Sequence, residues 1–212
     1  THLELKHFFG ITKPLCPETA KEIYDECNEK LKTLSARKRR ERSNVATVYT
    51  TDDPVDDLHY HEIRAKDKTL KTKAWRPDKV INVERDTFVP EREKLAKVTG
   101  KEIHNLKDRL QALDERLAFF VDHGCVASDH ALDVRHFKKG TTYEEANAIF
   151  LKGRKKEPIS FEEEDRYKGY LLLHLGRRYH KYNRVQEYHI GALRNNSLRN
   201  YKARGADTGF DA

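Results

Sequence analysis

Leu106, Leu110, Leu113, Leu117 and Phe120 recur at intervals of four, three, four and three residues, the stripe that one face of an α-helix turns toward a core. Gly124 follows where a left-handed C-terminal cap is expected, and Cys125-Val126-Ala127 then reads as a short buried strand. A long amphipathic helix running straight into an apolar strand is half of a repeating unit. Such units stack their strands in parallel, because the crossover helix carries the chain back to the same end of the sheet.

The alternation extends along the chain. Ala20, Ile23, Tyr24, Cys27 and Leu31 place an amphipathic helix over about 17 to 33, opened by Pro17. Val45 to Tyr49 is rich in β-formers and leads to Asp52-Asp53-Pro54, an acidic turn that caps a helix beginning near Val55. Thr69 to Trp75 alternates β-formers with lysine and stops at Arg76-Pro77, where proline ends ladder pairing. Thr142 with Glu145, and Ser160 with Glu163, have capping-box spacing ahead of helices near 143 to 152 and 161 to 182. Tyr188 to Ala192 is the last strand expected. With no tight hairpin signal, the pattern predicts an α/β fold with a parallel sheet in a single domain over 1–212, and long helices inserted over 133–184.

Charged residues make up 36% of the 212 positions, against roughly 25% in an ordinary globular domain, so the surface is unusually ionic or the core thin. The net charge of +7 favours anionic partners. Sugar acids and nucleic acids both qualify, and the clusters 37–42 and 152–156 would supply the phosphate contacts of a nucleic-acid binder, although such runs are more often solvated loops. Three cysteines, Cys16, Cys27 and Cys125, match neither a disulfide framework nor a zinc-thiolate site and fit a reducing cytoplasm. No run approaches the ~20 apolar residues that span a bilayer. Methionine is absent altogether, which suggests an excised or redesigned segment. No phosphate loop, nucleophile elbow or dinucleotide fingerprint occurs, which sets aside kinase-like, triad-hydrolase and Rossmann readings.

Chemistry in a parallel α/β protein gathers where strands end. Asp52, Asp53, Arg76, Asp129, His130, His189 and, just beyond, Arg194 all fall at such ends. Asp52-Asp53 is better explained by turn capping than by paired catalysis, since adjacent residues leaving a strand point apart. Asp129-His130 reads as an acid-base or ligand pair, with a hydrogen-bonded strand end that orients His189 as the alternative. A lone strand histidine such as His189 is on spacing alone more often structural than a metal ligand. Arg76 could clamp a carboxylate with its planar fork or neutralise Asp78, and Arg194 could touch substrate or tie down Asn195-Asn196. His59, His61, His123 and His174 lie on helix faces or ends and need no special role.

Five segments, in order, carry a resemblance: Thr1 to Leu5 (THLEL), Thr50 to Leu58 (TTDDPVDDL), Trp75 to Lys79 (WRPDK), Gly124 to Leu132 (GCVASDHAL), and Glu187 to Asn196 (EYHIGALRNN) closing with Asp207 to Asp211 (DTGFD). The chain resembles the central part of the uronate isomerases, members of the amidohydrolase-like superfamily. The resemblance implies a partial (β/α)8 barrel of about four to five parallel strands with inserted helices, since a closed barrel takes ~250 residues. It implies aldose-ketose interconversion of D-glucuronate with D-fructuronate, or D-galacturonate with D-tagaturonate. His189 would correspond to a metal ligand, the ion being divalent and plausibly zinc. Arg76 would grip the uronate carboxylate, Arg194 and His2 would contact substrate, and Asp129 and His130 would carry the proton chemistry. The family's upstream His-x-His motif and late-strand aspartate have no match here. The expectation is therefore an inactive chain when alone, a weak or empty metal site, and exposed sheet edges covered by a second copy or another partner. The alternatives are a non-catalytic scaffold and a basic nucleic-acid-binding module.

Overall fold

The computed structural model describes residues 1–63, 73–192, 194–206 and 208–209. They fall into two compact units, 1–48 and 49–209, the first also taking in residues outside the described set. In the first unit, α1 (His2–Phe9) ends at Gly10, whose φ of 65° places it in the left-handed region that favours glycine. The helices α2 (Ala20–Leu31) and α3 (Ala36–Arg42) follow. Leu5, Ile11 and Ile23 make a small core, with Phe9 and Cys27 packed on it. The basic cluster expected as a loop is thus a helix. Ser35 caps it by accepting from the Lys38 N–H, and an all-polar helix gives no hydrophobic period by which to recognise it.

In the second unit come α4 (His59–Ile63), β1 (Ala74–Trp75), α5 (Asp78–Ile81), α6 (Phe88–Thr99), α7 (Leu106–Asp122), β2 (Ala127–Leu132), α8 (Tyr143–Arg154), α9 (Phe161–Lys181), β3 (Val185–Ile190) and α10 (Leu198–Arg204). The strands form one parallel sheet in the order β1-β2-β3, and Asp52 adds a parallel bridge to Trp75. The parallel α/β reading holds; the sheet seen is three-stranded. Three strand limits differ from expectation. Of the strand expected over Val45 to Tyr49, Tyr49 takes part in a β-bridge, and no longer ladder forms among the described residues. The strand expected at Cys125 to Ala127 begins later and runs through Ser128, Asp129 and His130, polar residues that hide it from an apolar-run search. The strand expected over Tyr188 to Ala192 starts at Val185 and stops before Gly191, where φ reaches 88°. Most of the Thr69 to Trp75 segment (69–72), with Leu193, Asp207 and Phe210 to Ala212, lies outside the described residues.

One continuous core supports this sheet. α7 contributes its predicted stripe, Leu106 to Phe120, each side chain supplying roughly 1.5–3 kcal/mol of burial. Trp75 meets Phe120 edge-on at 5.1 Å, and Phe88 lies edge-on to Phe150 and Tyr167 at 5.8 and 6.2 Å. Both predicted capping boxes form reciprocally, Thr142 with Glu145 and Ser160 with Glu163. No helix among the described residues is long and apolar enough to cross a membrane.

Candidate functional site

Strand register decides which of the candidate side chains meet. β2 and β3 pair Asp129 with Glu187 and Ala131 with His189, so strand alternation puts Asp129, Glu187 and His189 on one face. Ser128, His130 and Tyr188 take the other. Ala74 pairs with Ala127, which brings Arg76, one residue past β1, to the side of Asp129.

Asp129 is buried, and it joins two neighbours. Its Oδ1 lies 2.7 Å from Nδ1 of His189, and its Oδ2 lies 3.6 Å from Nη1 of Arg76. With Nδ1–H donating to the carboxylate, the Nε2 lone pair of His189 is directed away from it, free to accept a proton or a metal ion. That nitrogen stands 3.5 Å from Oε1 of Glu187, and the ring is 58% exposed. Arg76 is held from its other edge. Its Nε donates to Oδ2 of Asp78 at 2.9 Å, and the same oxygen accepts the backbone N–H of Ala131 at 3.1 Å. Burial pushes the Asp78 carboxyl above the ordinary carboxylate range, against the lowering effect of the Ala131 N–H and Arg76.

A cleft of about 350 Å³ opens beside this group, lined by Thr51, Asp53, Arg76, Asp78 and Lys79. Lys79 reaches Asp53 at 3.2 Å, so each cation lining the cleft, Arg76 and Lys79, is matched by an acid that also lines it. The acidic run itself is occupied with turn building. Asp53, Asp56 and Asp57 accept the N–H groups of Val55, Leu58 and His59, and Asp52 is bound by Thr50 and His61. Asp53 thus builds a turn as expected, but the helix expected near Val55 begins only at His59, and Asp52 is engaged by side chains rather than capping a helix.

His130 is wholly buried on the opposite side of β2, its Nε2 3.1 Å from the Tyr179 hydroxyl and its Nδ1 3.9 Å from Oδ1 of Asp78. Burial lowers its pKa from 6.5 to about 4, with Asp129 opposing the shift and Arg76 adding to it. His2 belongs to the first unit, where its Nε2 accepts the Leu15 N–H at 2.9 Å. Arg194 lies in the turn after β3. His123 and His174 have local partners, the Phe119 carbonyl and Asp114. Sequence reasoning gave Asp78 no role beyond neutralising Arg76 and overlooked Tyr179. The signal for Asp78 was its position two residues after Arg76 across a proline turn; nothing in the α9 stripe distinguished Tyr179 from an ordinary core residue.

Among the described residues, no group of three or more His, Cys, Asp or Glu side chains is arranged to hold a metal ion. His189 Nε2 and Glu187 offer two donors, short of the four that a zinc shell uses.

A family model described as glucuronate isomerase matches residues 1–212. The chain belongs to the glucuronate isomerase family. A uronate isomerase of Caldanaerobacter subterraneus subsp. tengcongensis is 42% identical over 217 aligned residues, covering all of this chain and 46% of that protein. The crystal structure of a uronate isomerase from Thermotoga maritima superposes with a TM-score of 0.90 at 32% identity, covering 100% of this chain and 47% of that one. The glucuronate isomerase of Caulobacter crescentus gives 0.85 at 26% identity, covering 99% and 44%. The chain thus spans just under half the length of these members of the family.

Proposed function

We propose that this chain carries part of the active site of a hexuronate aldose-ketose isomerase, interconverting D-glucuronate with D-fructuronate or D-galacturonate with D-tagaturonate. The observation that carries the reading is the Asp129–His189 pair at 2.7 Å, on the strand face that also receives Arg76. In this reading the three parallel strands are a sector of a (β/α)8 barrel, whose strand ends converge on one mouth.

The reaction moves a proton from C2 to C1 and another from O2 to O1, through an enediol. Asp129 holds the His189 ring by Nδ1, which leaves Nε2 to take the C2 proton and return it to C1. Arg76 presents guanidinium N–H groups to the substrate carboxylate, a pairing that suits its planar fork. Arg194 and His2 are the remaining candidates for substrate contact, and His130 acts from behind the sheet. The two donors at His189 do not by themselves make a zinc site, and no step above is routed through a metal.

The test is proton exchange at C2 of D-glucuronate in D2O, followed by NMR, together with turnover to the ketose. The 212-residue chain alone is expected to give little or no turnover, and a polypeptide of the relatives' length containing these residues to give both signals. Asp129→Asn and His189→Asn should each abolish C2 exchange in that polypeptide. Exchange that persists at the parent rate in both variants would sink the assignment.

A further inference from the structure

Two buried polar atoms behind the cleft face each other without a hydrogen bond: Oδ1 of Asp78 and Nδ1 of His130, 3.9 Å apart. Each belongs to a side chain whose other end is committed. Oδ2 of Asp78 takes the Nε–H of Arg76 and the N–H of Ala131, and Nε2 of His130 faces the hydroxyl of Tyr179. Tyr179 is buried in the core on α9. A carboxylate can only accept, so a bare Nδ1 opposite Oδ1 would set lone pair against lone pair. The arrangement is satisfied when Nδ1 carries the proton and Nε2 accepts from Tyr179, a tautomer that points an N–H at Asp78.

We propose that Asp78 is a positioning residue for Arg76, backed by His130 and Tyr179, so that the chain Tyr179–His130–Asp78 fixes the guanidinium at the mouth of the cleft. The inference rests on reading Arg76 as the group that binds the uronate carboxylate. Asp78 takes the Nε edge of the guanidinium and is itself tied to the backbone of β2 at Ala131, the strand that carries Asp129. Asp129 stands off at 3.6 Å from Nη1. The guanidinium is thus gripped at Nε, and its outer edge is aimed at the cleft. An arginine left to its own rotamers would lose this aim, and about an ångström of misplacement is enough to weaken a bidentate contact. His130 touches neither the cleft nor the Asp129–His189 face, so its influence on substrate passes through Asp78.

The experiment uses the full chain labelled with ¹⁵N in arginine and histidine. Ring shifts of His130 should show a protonated Nδ1 and a bare Nε2 at neutral pH. The Nε–H of Arg76 should give a resolved signal protected from exchange, and Asp78→Asn should erase that protection while the amide spectrum stays folded. A bare Nδ1 in the parent, or an unchanged Arg76 signal in Asp78→Asn, overturns the proposal. Binding is then compared between D-glucuronate and the neutral sugar D-glucose. Asp78→Asn should weaken D-glucuronate roughly tenfold and leave D-glucose unchanged, the loss expected when a charge-assisted bond that aims the clamp is removed. Tyr179→Phe, which deletes only the hydroxyl, should act in the same direction by roughly threefold. Arg76→Ala separates the two ideas. If it leaves D-glucuronate binding intact, the carboxylate-clamp reading fails although the NMR signatures stand; if it abolishes binding and Asp78→Asn does not weaken it, the positioning role fails and the clamp survives.

Discussion

Gly153 and Gly176 both lie in helices, and the same substitution should move stability in opposite directions at the two sites. A methyl carbon added at Gly153, near the end of α8, would stand 2.6 Å from Cγ2 of Val83 and 3.0 and 3.2 Å from Cε1 and Cδ1 of Phe88. Carbon atoms in good contact stand about 3.5–4.0 Å apart. Val83 and Phe88 are almost fully buried and belong to the main core, and a β-branched valine cannot swing its methyl aside at low cost. Overpacking of this kind costs about 1–3 kcal/mol. Replacing a helical glycine returns about 0.5–1 kcal/mol of backbone entropy, so Gly153→Ala should destabilise by roughly 1 kcal/mol. At Gly176 in α9 the added carbon would meet only the Gln186 amide, at 3.5 and 3.7 Å, which is ordinary contact. There the entropy gain stands alone, and Gly176→Ala should stabilise by about 0.5–1 kcal/mol.

Urea unfolding followed by tryptophan fluorescence reads this well, because the chain has a single tryptophan, Trp75, and it is buried in that core. The midpoint should fall for Gly153→Ala and rise for Gly176→Ala with the slope unchanged, and the melting temperatures should differ by several degrees, at roughly 2–4 °C per kcal/mol. A midpoint for Gly153→Ala that rises as far as that of Gly176→Ala would refute the packing of α8 on Val83 and Phe88. The result bears on the site too, since Val80 and Ile81 of α5 share that core and α5 begins at Asp78.

Lys168 is nearly buried and bridges Glu84 at 2.9 Å and Glu164 at 2.6 Å, so Lys168→Met leaves two carboxylates facing each other and should cost about 2–4 kcal/mol, less than a fully buried pair because both acids are partly exposed; adding Glu84→Gln should recover part of the loss in the same urea assay, and no recovery would count against the bridge. His130 has its pKa lowered from 6.5 to about 4, so between those values the unfolded chain binds a proton that the folded chain refuses. Its contribution is complete above pH 6.5 and is lost as pH falls toward 4, an acid limb of roughly 3 kcal/mol that should flatten in His130→Gln and that denaturation at stepped pH would measure.

The helices were legible where local chemistry and burial agree. α7 carries the apolar stripe, and the capping boxes that open α8 and α9 formed as the spacing implied. α3 escaped because Ala36 to Arg42 has no apolar face, and α6 because Pro90 and a broken stripe obscure its first turn, where proline is tolerated. The limits of β2 slipped because polar residues stand inside a buried strand. Asp129 and His130 interrupt the apolar run in β2, and they are the residues that face the cleft side and the buried side of the sheet. Which histidine pairs with Asp129 depends on the register of β2 against β3, a relation between residues 60 apart that neither strand contains by itself.

In the proposed function, Arg76 must serve an anionic substrate while two acids crowd it. If Asp78 and Asp129 are both ionised, their charges with Arg76 sum to −1, a poor welcome for a uronate. The geometry divides the acids unequally. Asp129 lies only at ion-pair range from Nη1 and spends its close contact on His189, whereas Asp78 holds Nε and is pushed by burial toward its neutral form. The outer edge of Arg76 is the one left for a substrate carboxylate, because Asp78 occupies its Nε side. Asp78 holds the Nε–H through Oδ2 while that outer edge stays open, so the clamp keeps its aim. Lys79, at the rim of the same cleft, is paired with Asp53 and so leaves the balance there unchanged. On this account Asp78→Asn removes a nearby negative charge and yet weakens uronate binding, because the charge-assisted hold on Nε that aims the clamp is lost.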